Sequence, residues 1–115
     1  MGAARRLDDT FAALADPTRR GVIDLLREQP RRAGELAAAF DMSPPAMSRH
    51  LRVLRKTGLV EEDAVEDDAR VKLYRLRPER FSELRAWLDE VEAFWGGQLQ
   101  SFKEHAERTR GKKRP

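Results

Sequence analysis

Ser43–Val60, SPPAMSRHLRVLRKTGLV, is the stretch on which the reading of this chain turns. Met47, Leu51 and Leu54 recur at i, i+4 and i+7, which places them on one stripe of an α-helix. At about 100° per residue, the opposite side carries Pro45, Arg49, Arg52 and Lys56, flanked by Ala46, Ser48 and Val53. Ser43 can cap the start, and Pro44 takes the first helical position, where a missing N–H costs nothing. Gly58 ends the helix. From Ser43 to Thr57 the charged residues are Arg49, Arg52, Arg55 and Lys56, with no acid among them. A helix anchored by one face and cationic on the other is what a DNA major groove accepts. Taken alone, it fits a solvated face on an ordinary core helix equally well.

The flanking segments separate these readings. Upstream, Ala33–Phe40 reads as a short helix with Leu36, Ala37 and Phe40 on one side, and Asp41-Met42 is a tight link into Ser43. Two helices joined by so short a turn, the second one basic, form a helix-turn-helix. Downstream, Leu59–Asp63 and Val71–Arg77 read as strands joined by a loop over Ala64–Arg70. Val71, Leu73 and Arg75 fall on one face of the second strand, and Lys72, Tyr74 and Leu76 on the other. Together these elements predict a mainly α fold with a small β-hairpin (α+β), a winged helix-turn-helix. Its order is four helices, two strands and a closing helix.

The chain ends do not change that fold. The first helix is expected over Leu7–Ala15, with Leu7, Phe11 and Leu14 on one stripe. Asp16-Pro17 stops it and starts the next, whose buried face is Val22, Ile23, Leu25 and Leu26. Gln29–Arg32 is read as a connector. The closing helix runs from about Glu79 to Arg108 with Phe81, Leu84, Leu88, Val91 and Trp95 on one stripe, widened by Trp87 and Phe94. Gly96-Gly97 predicts a bend there, after which Leu99 and Phe102 resume the pattern. The aromatic surface of this helix predicts a partner face, most simply a twofold dimer with the first helix alongside. The competing expectation is that it packs on its own domain.

Composition narrows the function classes. The 115 residues fit one domain over 1–108 and a basic tail over 109–115, with disorder expected from Gly111 to Pro115. No apolar run reaches the ~18 residues of a membrane span, and MGAARRLDD lacks a signal-peptide core. There are no cysteines, which excludes disulfides and thiolate metal sites and agrees with a cytoplasmic, nucleoid-associated protein. The formal charge of +3 hides a segregation: five of the 23 basic residues lie beyond residue 107, leaving 18 against 20 acids in residues 1–107. Positive charge gathers on the Ser43 helix and in the tail, negative charge at Glu61–Asp68 and along the closing helix.

With helix order, caps and wing in place, the chain resembles the ArsR-type winged-helix transcriptional repressors over about residues 7–107. The resemblance is carried by LADPTRRGVIDLL (Leu14–Leu26), by GELAAAFDMSPPAMSRHLRVLRKTGLVEE (Gly34–Glu62) and by VKLYRLRP (Val71–Pro78). It implies a homodimer joined through the first and last helices that places its recognition helices on an imperfect palindrome near a promoter. The implied interface residues are Leu7, Phe11, Leu14, Trp87, Val91, Phe94, Trp95, Leu99 and Phe102. The cysteines that many members use to sense metals are missing, with Ala37, Ala38 and Ala39 at that place. In the last helix Asp89 is followed by Val91 rather than a histidine, and His105 has no spaced imidazole partner. The chain is similar to the branch without sensor ligands, marked by Phe94-Trp95 and Leu99, so neither a metal nor a cofactor is expected.

The DNA-contacting set expected from these readings is Ser43, Pro45, Ala46, Ser48, Arg49, His50, Arg52, Lys56, Arg70 and Lys72. Arg49 and Arg52 can grip guanine or phosphate. Ser43, Ser48 and the first helical amides suit phosphate. Pro45 and Ala46 can only make apolar contacts, for example with a thymine methyl. His50 lies roughly 60° from the buried stripe: the resemblance implies contact with the DNA backbone, while a half-buried structural histidine fits the same position. Ser48 and His50 point about 200° apart, so they cannot pair as nucleophile and base, and no enzyme is expected. Six acids between Glu61 and Asp68 would repel phosphate, so either Arg70 and Lys72 carry the wing to DNA or the wing stays off it. A protein-interaction module and a regulator holding a small molecule near Trp87 and Trp95 are the alternatives.

Overall fold

The structure, a computed structural model, describes residues 2–65 and 68–112. The elements in order are α1 (Gly2–Leu14), α2 (Pro17–Glu28), β1 (Arg31–Arg32), α3 (Ala33–Ala39), α4 (Pro44–Thr57), β2 (Val60–Val65), β3 (Asp68–Leu76) and α5 (Pro78–Lys112). They divide into two compact units, Met1–Leu84 and Arg85–Pro115. Glu66 and Asp67 of the acidic run, and Lys113, Arg114 and Pro115 of the tail, lie outside the described residues.

The core of the first unit is built from the stripes that periodicity picks out. Met47, Leu51 and Leu54 of α4 are buried together with Val22, Ile23 and Leu26 of α2, Leu36 and Ala37 of α3, and Leu59, Val60 and Tyr74 of the wing. Leu25, Phe40, Leu76 and Phe81 pack around that cluster. Each aliphatic side chain so buried contributes about 1.5–3 kcal/mol relative to exposure.

Several details differ from expectation. The sheet has three strands in the order β1-β3-β2, because Arg31 and Arg32 pair with Tyr74 and Leu73 along the free edge of β3. Two residues are too short to show a period of two; the neighbouring strand makes them a strand, and Glu28 holds the Arg31 guanidinium at 2.8 Å. The hairpin also reaches further into the expected loop, to Val65 and from Asp68, with a register shift at Ala64/Val65. Backbone pairing continues there through residues whose alternation is masked by charge. The core side of β3 is that of Tyr74 and Leu76.

In α1 the inward residues are Thr10 and Ala13, both 1% exposed, while Phe11 is 41% exposed and Leu14 packs at the core margin. Small side chains face inward, and the Thr10 hydroxyl is satisfied by donating to the Arg6 carbonyl at 2.9 Å. The helix starts at Gly2, through residues with good helix propensity, and Arg6 is tied to Glu83 at 3.1 Å. In the second unit α5 continues through Gly96 and Gly97 without the expected break and on to Lys112.

Helices α3 and α4 are each closed by a left-handed residue. Gly58 (φ 86) ends α4, with its N–H on Arg55 O and the Leu59 N–H on Leu54 O, each at 3.0 Å. That is a Schellman closure, and Leu59 is buried behind it. Asp41 (φ 49) plays the same part after α3, with Asp41 N–H on Ala38 O at 3.2 Å and Met42 N–H on Ala37 O at 2.9 Å. Only Gly58 is the residue type this conformation favours. Gly58→Ala is therefore expected to cost about 1 kcal/mol, and Asp41→Gly to gain roughly 0.5 kcal/mol after the added chain entropy of glycine. Urea denaturation of both variants checks this, and the opposite order of midpoints would refute it.

Candidate nucleic-acid interface

Helix α4 presents its polar side because its apolar side is spoken for. Ser43 caps it by accepting from the Ala46 N–H at 3.3 Å, and Pro44 opens it. Ser43, Pro45, Ser48, Arg49, Arg52 and Lys56 are exposed and Ala46 is half-buried, in agreement with their expected side of the helix. Among the described residues, Arg49, Arg52 and Lys56 have no carboxylate within ion-pairing distance. Arg55, by contrast, is turned toward the sheet and sits 2.5 Å from Glu62 Oε1. The sequence supplies four cations on this helix; the fold leaves three of them available.

His50 is half-buried and faces the start of α2. Its Nδ1 lies 3.5 Å from Arg19 Nη1 and 3.8 Å from Asp16 Oδ2. Asp16 is itself the N-cap of α2, accepting from the Arg19 N–H at 3.0 Å. That backbone bond leads in holding the Asp16 carboxyl below its usual range, against desolvation. Sequence reasoning did not single out Arg19. Its one signal is the position after Asp16-Pro17-Thr18, where the second helix begins.

Glu61, Glu62 and Asp63 of the wing are answered from within. Glu62 accepts from the Tyr74 hydroxyl at 2.8 Å and pairs with Arg55, joining α4, β2 and β3. Asp63 pairs with Arg75, and Glu61 lies 3.9 Å from Arg75 and 3.8 Å from Arg77. Lys72 is exposed on β3. Arg70 is placed in β3 by its backbone, and its side chain lies outside the described residues.

The expected partner-facing residues are distributed over both units. Leu7 and Leu14 are half-buried in α1, and Phe11 is exposed there. In the second unit Val91 is half-buried, while Trp87, Phe94, Trp95, Leu99 and Phe102 are exposed, Phe102 to 72%. Among the described residues no group of three or more His, Asp or Glu side chains could hold a metal ion, and no helix is long and apolar enough to cross a membrane.

Comparison with known proteins bears on the same region. Residues 16–62 match the family model described as "Bacterial regulatory protein, arsR family". The chain is 35% identical over 102 residues to the HTH-type transcriptional regulator Rv2034 of Mycobacterium tuberculosis, covering 89% of this chain and 90% of that protein. It is 36% identical over 56 residues to the transcriptional repressor SdpR of Bacillus subtilis, covering 49% of this chain and 62% of the repressor. The solved structure of the ArsR-like transcriptional regulator from Rhodococcus sp. RHA1 superposes with a TM-score of 0.74 at 29% identity, over 90% of this chain and 95% of that one.

The Arg55–Glu62–Tyr74 cluster sets a pH dependence. The Tyr74 hydroxyl, then Arg55, hold the Glu62 carboxyl below the ordinary value of 4.5 despite partial desolvation. Burial and the Glu62 carboxylate push the Tyr74 hydroxyl up. A depressed folded-state value means the stabilisation is complete above the unfolded-state value and is lost as pH falls through the folded one. Glu62→Gln should therefore lose less stability than the parent between neutral pH and about pH 3. Asp16 and Glu83, whose carboxyls are also held low, the latter because Arg6 and Arg80 outweigh desolvation, add to the fall in both proteins. Urea midpoints at the two pH values check this; equal falls in both proteins would remove Glu62 as a contributor.

Proposed function

Because the chain belongs to the ArsR family, whose members are DNA-binding winged-helix transcription regulators and not enzymes, we propose that it is a homodimeric repressor acting at a promoter in the cytoplasm. Each protomer lays α4 in a major groove, so that two copies read an imperfect palindrome. Arg49 and Arg52 make the central contacts, with Lys56, Ser43, Ser48 and the first amides of α4 on phosphates and Pro45 and Ala46 against apolar base edges. Arg70 and Lys72 carry the wing toward the flanking backbone. The dimer forms through Leu7, Phe11 and Leu14 of α1 and the apolar residues of α5, and repression needs no bound metal or cofactor.

One observation carries the reading: Arg49 and Arg52 stand exposed, and without a carboxylate partner among the described residues, on a helix whose other side is core. A guanidinium without an internal carboxylate keeps its full donor set for an external anion. The pairing of Glu61, Glu62 and Asp63 with Arg75, Arg77 and Arg55 supports it further, because it lessens the repulsion that an acidic wing would exert on phosphates.

Arg49→Ala and Arg52→Ala are each expected to weaken operator binding by about 1–3 kcal/mol, with affinity falling steeply between about 50 and 200 mM salt. Anisotropy titration against a duplex selected from random DNA measures this, and native affinity in both variants would remove α4 from the interface. Trp95→Ala is expected to shift the protein toward monomer in sedimentation velocity. A dimer of parental strength would place the association surface elsewhere.

A further inference from the structure

We propose that Arg19 and His50 are a positioning pair, through which the last turn of α1 sets the pose of the DNA-facing helix. A helix ends with carbonyls that have no partner in the helix, and it carries partial negative charge there. Arg19 of α2 answers both needs for α1: its Nε donates to Ala13 O at 2.7 Å and its Nη2 to Ala12 O at 3.3 Å. Arg20 adds a third bond, from Nη1 to Leu14 O at 2.7 Å. The planar guanidinium of Arg19 then has one edge left, and that edge faces His50 Nδ1 on α4 at 3.5 Å. With Nδ1 as acceptor, the ring carries its proton on Nε2.

The pair is therefore a rigid fork with two prongs in α1 and one toward α4. Asp16 fixes its base, since the same carboxylate caps α2 on the Arg19 N–H and lies 3.8 Å from the imidazole. His50 stands next to Arg49 in sequence and one turn or less from Arg52, so a small rotation of α4 re-aims both. Base contacts tolerate displacements of about 0.5 Å and rotations of about 10–20°. On this assignment His50 acts through Arg19 rather than by touching DNA, which separates the two roles that its position in the sequence leaves open. The inference rests on the reading of α4 as the DNA-contacting helix.

The test uses the full chain with Arg19→Gln, His50→Ala, His50→Asn and the Arg19→Gln/His50→Ala double variant. Each is titrated by anisotropy against the selected operator and a scrambled duplex over a salt series, with thermal melts alongside. Arg19→Gln and His50→Ala should each lose about tenfold in operator affinity, as expected for a bond to a charged group. Binding to the scrambled duplex and the salt slope should stay unchanged. The double variant should be no weaker than the worse single one, and His50→Asn, which offers an acceptor near the Nδ1 position, should recover most of the loss. A salt slope reduced by about one in His50→Ala would overturn the pair, because it marks a direct phosphate contact. Additive losses, or equal losses on both duplexes, would also overturn it. Native operator affinity in Arg19→Gln and His50→Ala while Arg49→Ala is weakened would overturn the pair and spare the interface; native affinity in all three would overturn both.

Discussion

Burial of Met47, Leu51 and Leu54 is the constraint from which the rest of the first unit follows. The three side chains are 2% exposed or less, in one cluster with residues of α2, α3 and the wing. An amphipathic helix held by three such residues has a single favourable rotation about its axis, since turning it would expose leucine and bury guanidinium. Truncating a core leucine costs about 2–5 kcal/mol, and burying an unpaired charge costs more. Hydrophobic packing therefore decides where Arg49 and Arg52 point, although neither takes part in it.

Electrostatics then distinguishes among cations that composition treats alike. Arg19 and Arg20 close the end of a helix. Arg55, Arg75 and Arg77 face the wing acids, and Arg6 and Arg80 share Glu83 between α1 and the start of α5. Exposed pairs of this kind are worth little individually. Their effect is on the field: Glu61, Glu62 and Asp63 are matched locally, and among the described residues no carboxylate pairs with Arg49, Arg52 or Lys56 of α4. A net charge near zero over most of the chain is thus compatible with a strongly cationic face.

How much of this was legible depends on the physical signal each feature leaves. The stripe of α4, its Ser43 cap, its Gly58 stop and the tight Asp41-Met42 turn are local patterns, and the structure reproduces them. The strand Arg31–Arg32 left no trace, because its pairing is dictated by the edge of β3, forty residues later. In α1, periodicity favoured Phe11 over Thr10, since a buried threonine satisfied by its own helix has no apolar signature. The continuity of α5 through two glycines went against local propensity for which each glycine costs about 1 kcal/mol. Within the site, exposure of Arg49 and Arg52 followed from the helix period. The partners of Arg19, His50 and Arg55 did not, because all lie in other elements.

The same distinction applies to the segment before the helix-turn-helix. Asp16 and Arg19 are local features of a helix start, yet Arg19 reaches back to α1 and across to α4. One guanidinium thereby joins α1, to which the proposed function assigns association residues, to α4, to which it assigns the DNA contacts. A lysine could supply the charge at that place but would lack the planar fork that addresses separate acceptors at once. On the proposed assignment, what Arg19 contributes is geometry: it makes the end of α1 a reference surface for α4, and without it α4 would keep its affinity for phosphate and lose discrimination between bases.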